Sequence, residues 1–187
     1  MTTTSTLRAG LVGCGSVAQR GVLPHLSLAD ARQRVQITAV ADSMAERAAQ
    51  TAQKWDIPAW YADLDAMLAA ETLDMVIVTT PIQQHFAHAL AAIEAGKHVY
   101  VQKAMTTTVA EADALLAERD RMGVRLAAAP GFDLFPSTAK MRAAVQSGAL
   151  GQIAIAYTYT LGFGHEFEPI RRDEGALAAI DPAWYYR

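Results

Sequence analysis

Six short apolar runs between residues 7 and 128 alternate with segments of helical spacing. The runs are continuous, without the regular apolar–polar alternation of a half-exposed strand, as expected when a sheet is covered on both faces. The pattern predicts an α/β fold built on a doubly wound parallel sheet. The predicted strands are Leu7–Val12, Val35–Ala41, Pro58–Tyr61, Leu73–Thr79, Val99–Val101 and Val124–Ala128.

Helices between these strands are predicted from capping residues and glycine stops. The first should run from about Ser16 to Leu28 and kink at Pro24, because a proline ring blocks one helical hydrogen bond. Two later helices should open with capping boxes, formed by Ser43 with Glu46 and by Thr108 with Glu111.

The pattern changes after residue 129. Ser137 is predicted to cap a helix, and apolar residues from Ile153 to Tyr159 then alternate with small or polar ones. Such a two-faced strand is typical of an antiparallel sheet. We therefore expect one domain in residues 1–129 and the beginning of an α+β domain in residues 130–187. One helix and one strand do not complete a sheet domain, so the sequence is interpreted as a fragment or as a chain that borrows the rest of its second domain.

Composition excludes several classes of protein. Hydrophobic residues make up 52% of the chain and charged residues 19%, with a net charge of −3. These values are typical of a globular protein and leave no basic field for nucleic acid. No apolar stretch approaches the roughly 20 residues that cross a bilayer, and the single cysteine, Cys14, fits a reducing compartment. We expect a cytoplasmic protein with no nucleic-acid partner, no membrane segment and no metal site.

A Gly-rich turn follows the first predicted strand. In its GxGxxA pattern, Gly13 permits a tight bend, Gly15 lets the backbone approach a phosphate, and Ala18 lets helix and strand pack closely. A turn of this kind places a dinucleotide pyrophosphate at a helix N-terminus. Ser16 and Val17 complete the predicted cofactor-binding turn. The alternative is a glycine turn that binds no ligand.

An acidic residue ends the second predicted strand. Asp42 lies 24 residues after Ala18, and its carboxylate can accept hydrogen bonds from adenosine ribose hydroxyls. The same charge would repel a 2′-phosphate, which favours NAD over NADP. NADP stays possible because Ser43 and Arg47 could hold a phosphate if the acid turned away; Ser43 is also the predicted helix cap.

Further candidates follow the fourth and fifth strands, because ligands of such sheets bind beyond the carboxyl ends of the strands. Thr80, Pro81 and His85 are expected to border the ribose and nicotinamide, where His85 either anchors a loop or transfers a proton. Gln102 and Lys103 come directly after the fifth strand. The Lys103 amine would be partly desolvated there and placed to exchange a proton with a substrate hydroxyl. The alternative is a surface lysine in a loop.

The order and spacing of these motifs resemble the glucose-fructose oxidoreductase/inositol dehydrogenase (Gfo/Idh/MocA) family. The matching segments are Gly13 to Ala18, Ala39 to Asp42, Thr80-Pro81 with His85, Ala95 to Val99, and Gln102-Lys103-Ala104. The resemblance implies a Rossmann domain, an NAD(P) cofactor, and a substrate domain that often mediates oligomerisation. It also implies oxidation of a secondary alcohol on a sugar, cyclitol or related polyol, with Lys103 near nicotinamide and substrate.

The sequence departs from that family at the lysine motif. Gln102 stands in place of the usual glutamate and Ala104 in place of the usual proline. The resemblance implies a catalytic aspartate and histidine in the second domain, and neither is assigned to a residue of this sequence. We therefore expect this chain alone to be inactive. The resemblance also implies that the full-length protein is a homo-oligomer. The alternatives are a non-catalytic dinucleotide sensor and a domain for another adenosine ligand such as S-adenosylmethionine, which would leave the lysine segment unexplained.

Overall fold

The computed structural model of the protein describes residues 5–129 and 135–157. Within these residues six strands form one sheet, and every strand pair is parallel. The strand order, β3-β2-β1-β4-β5-β6, confirms the predicted doubly wound α/β fold. The strands are β1 Leu7–Val12, β2 Val35–Ala41, β3 Ala59–Tyr61, β4 Met75–Val78, β5 His98–Val101 and β6 Leu126–Ala128.

Helices connect the strands. The α-helices are α1 Leu23–Leu26, α2 Ala29–Arg32, α3 Ala45–Trp55, α4 Leu64–Ala70, α5 His85–Glu94, α6 Val109–Met122 and α7 Pro136–Gln146. A π-helix, Ala18–Val22, precedes α1, and a 3-10 helix, Ile82–Gln84, precedes α5. None of the helices in the described parts of the chain is long and apolar enough to cross a membrane.

The central strands β1 and β4 carry the topological switch point of the sheet. Val12 at the end of β1 pairs with Ala41 of β2 and with Val78 of β4, and Val78 pairs with Val101 of β5. Four strand ends therefore lie side by side along one edge. The chain segments that follow them form the crevice in which doubly wound folds bind ligands.

The central strands are continuous apolar runs because a separate cluster of buried apolar side chains covers each face of the sheet. Along β4, Val76 and Val78 belong to one buried cluster, whereas Ile77 between them belongs to the other. Successive side chains of a strand point to opposite faces of its sheet. The central strands are therefore covered on both sides and have no solvent-facing row for polar residues.

The first predicted helix, Ser16 to Leu28, is present as a continuous helical stretch over residues 16–26 that contains a π-helix. The π-helix leads into the short α1, and α2 follows as a separate turn of helix. Pro24 is the second residue of α1, directly after the π-helix, and the helix continues through it to Leu26. The kink at Pro24 stays a prediction.

One of the two predicted capping boxes is confirmed and the other is wrong. Thr108 Oγ1 accepts from the backbone N–H of Glu111 at 3.2 Å, and Glu111 Oε2 accepts from the Thr108 N–H at 3.2 Å. Ser43 does not cap α3, whose N-cap is Met44. The N-cap residue makes no side-chain capping hydrogen bond, and the Asp42 carboxylate accepts from the Met44 N–H at 2.9 Å.

The chain divides into two compact units, Met1–Pro130 and Gly131–Arg187. In the second unit α7 begins at Pro136 with Phe135 as N-cap, so the prediction that Ser137 caps this helix is wrong. Residues 151–157 form no strand, although a strand was predicted from Ile153 onward. A lone strand leaves its backbone groups without partners, and the described residues of this unit supply no neighbouring strand. Residues 158–187 lie outside the described residues, and the α+β character of this domain stays a prediction.

Candidate functional site

The turn after β1 passes so close to the end of β4 that only glycine fits at its first position. Gly13 has φ +94°, and a Cβ there would lie 2.7 Å from the Thr79 carbonyl carbon and 2.7 Å from the Thr80 nitrogen. The Gly13 N–H donates to the Ala41 carbonyl oxygen at 2.8 Å. The turn is therefore fixed against β2 on one side and against β4 on the other.

Thr79 holds this turn from the β4 side. Its buried hydroxyl lies 2.6 Å from the Gly13 carbonyl oxygen and 3.1 Å from that of Val12, and its N–H donates to Val12 at 2.9 Å. Gly15, two residues further along the turn, is in a different environment, since no atom lies within 4 Å of where its Cβ would be. This open space is what a pyrophosphate needs in order to approach the backbone.

Asp42 connects the Gly-rich turn to α3. Its Oδ2 accepts from the Cys14 N–H at 2.8 Å and from Arg47 Nε at 2.8 Å. Its Oδ1 accepts from the Met44 N–H at 2.9 Å and from Arg47 Nη2 at 2.6 Å. The residue is only 3% exposed. Its predicted contact with the ribose stays a prediction, and Ser43 beside it is exposed.

Cys14 is buried in the turn at 1% exposure, with Sγ 3.8 Å from the Ala41 carbonyl oxygen. Burial, with a smaller contribution from the negative charge of Asp42, raises the pKa of the Cys14 thiol to about 12. A neutral, enclosed thiol is a poor nucleophile, so Cys14 acts here as a small apolar residue.

His85 joins the loop after β4 to the loop after β5. It is 1% exposed, with Nδ1 2.7 Å from the Ala104 carbonyl oxygen and Nε2 2.8 Å from the Thr80 carbonyl oxygen. Both ring nitrogens are occupied by the protein's own backbone, which favours the anchoring alternative over proton transfer. The Thr80 hydroxyl also lies 3.1 Å from His88 Nδ1. Burial, followed by the charge of His85, lowers the pKa of His88.

The lysine segment leaves the sheet directly after β5. The Gln102 N–H donates to the Val78 carbonyl oxygen at 3.0 Å, and the Gln102 side-chain oxygen accepts from the Lys103 N–H at 2.9 Å. The Lys103–Ala104 peptide bond is cis. Pro81 is exposed, whereas Gln102 and Thr80 are half-buried. Lys103 is exposed as well, so the expected partial desolvation of its amine is not found in this chain, because the described residues place no cover over the loop. The structure thus brings the segments after β1, β2, β4 and β5 to one edge, while the role of each side chain toward a cofactor stays a prediction.

One polar network near the turn was not found from the sequence. Trp55 Nε1 donates to Gln19 Oε1 at 2.9 Å, Gln19 Nε2 donates to Thr51 Oγ1 at 2.9 Å, and Thr51 donates to the Arg47 carbonyl oxygen at 2.7 Å. The network fixes the π-helix after the Gly-rich turn against α3. Arg47, Thr51 and Trp55 are spaced four residues apart on α3, but Gln19 lies 32 residues before Thr51, so its part in the network could not be read from local spacing.

The comparisons with known proteins agree with this geometry. A sequence model for an oxidoreductase family with an NAD-binding Rossmann fold, GFO_IDH_MocA, matches residues 7–129. The chain belongs to this family. The resemblance derived from the motifs is therefore confirmed.

Three of the curated relatives are dehydrogenases of sugars or of inositol. The chain is 32% identical over 153 residues to D-glucoside 3-dehydrogenase of Escherichia coli, covering 82% of this chain and 43% of that protein. It is 31% identical over 150 residues to D-apiose dehydrogenase of Paraburkholderia graminis, and the alignment covers 80% of this chain and 39% of that protein. It is 33% identical to scyllo-inositol 2-dehydrogenase (NADP(+)) of Bacillus subtilis, and the alignment covers 65% of this chain and 32% of that protein. The chain spans less than half the length of each of these relatives.

Solved structures of a dehydrogenase and of a 3-ketoreductase have a similar fold. A WlbA dehydrogenase from Chromobacterium violaceum in complex with NADH and UDP-GlcNAcA has a TM-score of 0.71 at 25% identity, covering 80% of this chain and 42% of that one. A 3-ketoreductase from Actinomadura kijaniata in complex with NADP and TDP-benzene has a TM-score of 0.68 at 26% identity. The match covers 76% of this chain and 43% of that one. The predicted class of cofactor, NAD or NADP, is confirmed for the family.

Replacing Gly13 with alanine should destabilise the fold strongly. The new methyl group would overlap the β4 backbone, and alanine would be strained at φ +94°, so we expect Gly13→Ala to lower the free energy of unfolding by about 2–4 kcal/mol. Gly15→Ala is the matched control and should change it by less than about 1 kcal/mol. Urea unfolding followed by circular dichroism measures both. Equal effects of the two substitutions would contradict the assigned close approach.

Cys14 should resist alkylation in the folded protein. With a pKa of about 12, only about one thiol in 10,000 is ionised at pH 8, and the thiolate is the reactive form. We expect iodoacetamide to modify native Cys14 at least about 100-fold more slowly than the urea-unfolded chain, as measured by mass spectrometry. Similar rates in the two states would show that the turn is open around the thiol.

Proposed function

We propose that the whole protein is an NAD(P)-dependent dehydrogenase that transfers hydride between nicotinamide and a secondary alcohol of a sugar, cyclitol or related polyol. The observation that carries this proposal is the placement of the Gly-rich turn and the lysine segment at one edge of the sheet, across its switch point. The names of the relatives, which include a glucoside, an apiose and an inositol dehydrogenase, support the substrate class. They also favour catalysis over a sensor role.

The residues of the turn fit a dinucleotide. Gly13 brings the chain across the end of β4, and the open side of Gly15 leaves room for a pyrophosphate. Ser16 and Val17 continue toward the π-helix, so their backbone N–H groups belong to a helix start that attracts an anion. We assign the pyrophosphate to Gly15, Ser16 and Val17, and the adenosine end to the segment of Asp42 and Ser43.

Lys103 is the residue proposed to handle the substrate proton. A bound nicotinamide would supply the hydride acceptor. The hydroxyl proton of the alcohol must leave as the carbon–hydrogen bond breaks, and the Lys103 Nζ, in its neutral amine form, is proposed to take it. Gln102 holds the backbone of Lys103 through its side-chain oxygen. His85 fixes the next peptide through the Ala104 carbonyl oxygen. Thr80 and Pro81 border the same crevice from the β4 side.

The activity is proposed for the whole protein because the part of this chain that aligns covers only 43% and 39% of two of the relatives. Effective catalysis requires the alcohol, the nicotinamide and the lysine to be held together. A substrate-binding second domain and homo-oligomerisation are parts of the same proposal. This chain alone is expected to bind cofactor but not to turn over.

Cofactor binding tests the first half of the proposal. We expect isothermal titration calorimetry to detect binding of NAD⁺ or NADP⁺ to this chain. Gly15→Ala should weaken it at least about tenfold, because a methyl group would occupy the space assigned to the pyrophosphate. Lys54→Ala, on the surface of α3, is the control and should bind as the unchanged chain does. If the chain binds neither NAD⁺ nor NADP⁺, the proposal is refuted.

Turnover tests the second half. In the whole protein, Lys103→Ala should lower kcat at least about 100-fold with a panel of sugars and polyols, because one general base contributes about that factor or more. Cofactor affinity should stay within a few-fold of the unchanged protein. Reduced-nicotinamide absorbance at 340 nm measures the rate. Cofactor binding without turnover by the whole protein would instead support the sensor.

A further inference from the structure

Two histidines of one helix hold Thr80 at the end of β4. His85 Nε2 lies 2.8 Å from the Thr80 carbonyl oxygen, and His88 Nδ1 lies 3.1 Å from the Thr80 hydroxyl. The two histidines are three residues apart on α5, so they lie on the same face of that helix. The backbone and the side chain of Thr80 are therefore held from α5 by two separate residues.

Of these two histidines, only His88 can set the direction of the Thr80 hydroxyl. Both ring nitrogens of His85 are occupied by backbone carbonyl oxygens. A threonine hydroxyl has one proton and two lone pairs, and its proton rotates to suit the partner it meets. In the described residues that partner is His88 Nδ1. The state of this nitrogen therefore decides where the Thr80 proton points.

The surroundings of His88 favour its uncharged form. Burial, followed by the charge of His85 on the same helix, lowers the pKa of His88, while Asp65 of α4 acts in the opposite direction with a smaller effect. A neutral imidazole has one nitrogen that donates and one that accepts. When Nε2 carries the proton, Nδ1 accepts from the Thr80 hydroxyl, and both lone pairs of the Thr80 oxygen stay free for another partner.

A free acceptor at this position suits the nicotinamide end of a dinucleotide. Thr80 is half-buried and follows β4 at the edge of the sheet that carries the crevice. The nicotinamide end has two ribose hydroxyls and a carboxamide NH₂ group, all of which donate hydrogen bonds. A Thr80 proton turned toward the crevice would face the NH₂ group donor to donor. The direction set by His88 avoids that conflict.

We propose that His88 is a positioning residue, which accepts the hydrogen bond of the Thr80 hydroxyl and so presents the Thr80 oxygen as an acceptor to the nicotinamide end of the dinucleotide. This inference rests on the proposed dinucleotide function and adds to it a residue that touches no ligand itself. A protonated His88 carries an N–H on both ring nitrogens. It would donate to Thr80, turn the hydroxyl proton toward the crevice and remove the acceptor.

The pH dependence of affinity is the first test. His88→Asn supplies a side-chain oxygen that can accept from Thr80 but does not titrate. Calorimetry compares this variant with the unchanged chain from about pH 8 to about pH 5, using NAD⁺ or NADP⁺, whichever binds more tightly. The two dissociation constants should agree within about twofold at pH 8. At low pH that of the unchanged chain should rise about tenfold more, because protonation reverses the hydroxyl only where His88 is present.

Removal of the hydrogen bond is the second test. His88→Phe keeps a planar ring without nitrogens and should weaken dinucleotide binding about fivefold at pH 8. Thr80→Val should weaken it similarly, and the double substitution should add nothing further, because both changes remove one interaction. ADP has the adenosine and the pyrophosphate but lacks the nicotinamide end, so its affinity should stay within about twofold in all three variants.

His98→Phe is the matched control for the ring substitution. His98 is also half-buried, and its Nδ1 accepts from the Arg125 N–H at 3.1 Å. It begins β5 and therefore lies at the edge of the sheet opposite the crevice. This variant should bind the dinucleotide and ADP as the unchanged chain does.

The outcomes distinguish this inference from the proposed function. Equal pH dependence in the unchanged chain and in His88→Asn would overturn the inference. So would an unchanged dinucleotide affinity in His88→Phe, or an equal loss of dinucleotide and ADP affinity, provided that the circular dichroism of the variant matches that of the unchanged chain. If the unchanged chain binds neither dinucleotide nor ADP, the dinucleotide function itself is refuted, and the inference with it.

Discussion

The close approach of two backbones at the centre of the sheet is the constraint on which the candidate site depends. Gly13 lies so near Thr79 and Thr80 that a Cβ would be 2.7 Å from their main-chain atoms. This approach allows the Thr79 hydroxyl to reach the Gly13 carbonyl oxygen at 2.6 Å. Because β1 and β4 are neighbours at the switch point, fixing their ends against each other also fixes the crevice between the two halves of the sheet.

Two polar side chains extend this constraint to the outer strands. Asp42, at the end of β2, accepts from the Gly-rich turn and from α3, and His85 joins the segments after β4 and β5 through two carbonyl oxygens. Both residues are buried, and their hydrogen bonds replace those that water would have made. Each was identified from sequence as a cofactor-binding candidate. In the structure each also holds backbone in place, so a motif residue can serve the fold and the site together.

The strands could be predicted because their cause is local in the sequence. A strand buried on both faces must be apolar at every buried position, and β4 and the last four residues of β1 show this directly. The capping box at Thr108 was predicted for the same reason, since both partners lie within one turn of helix. The equivalent prediction at Ser43 failed because Asp42, held by the Gly-rich turn and Arg47, reached the N–H of Met44 and became the local acceptor.

The sequence by itself determined the doubly wound fold, the glycine turn, and the edge of the sheet at which chemistry can occur, because apolar continuity and glycine geometry are properties of neighbouring residues. Only the tertiary structure decided how the polar side chains at that edge are used. The four donors to Asp42 come from the turn, from the start of α3 and from Arg47, and the two acceptors of His85 come from different loops. Cys14 lies 28 residues from Asp42 and Ala104 lies 19 residues from His85, so these partners meet only when the strands pair, and that pairing completes the set of hydrogen bonds.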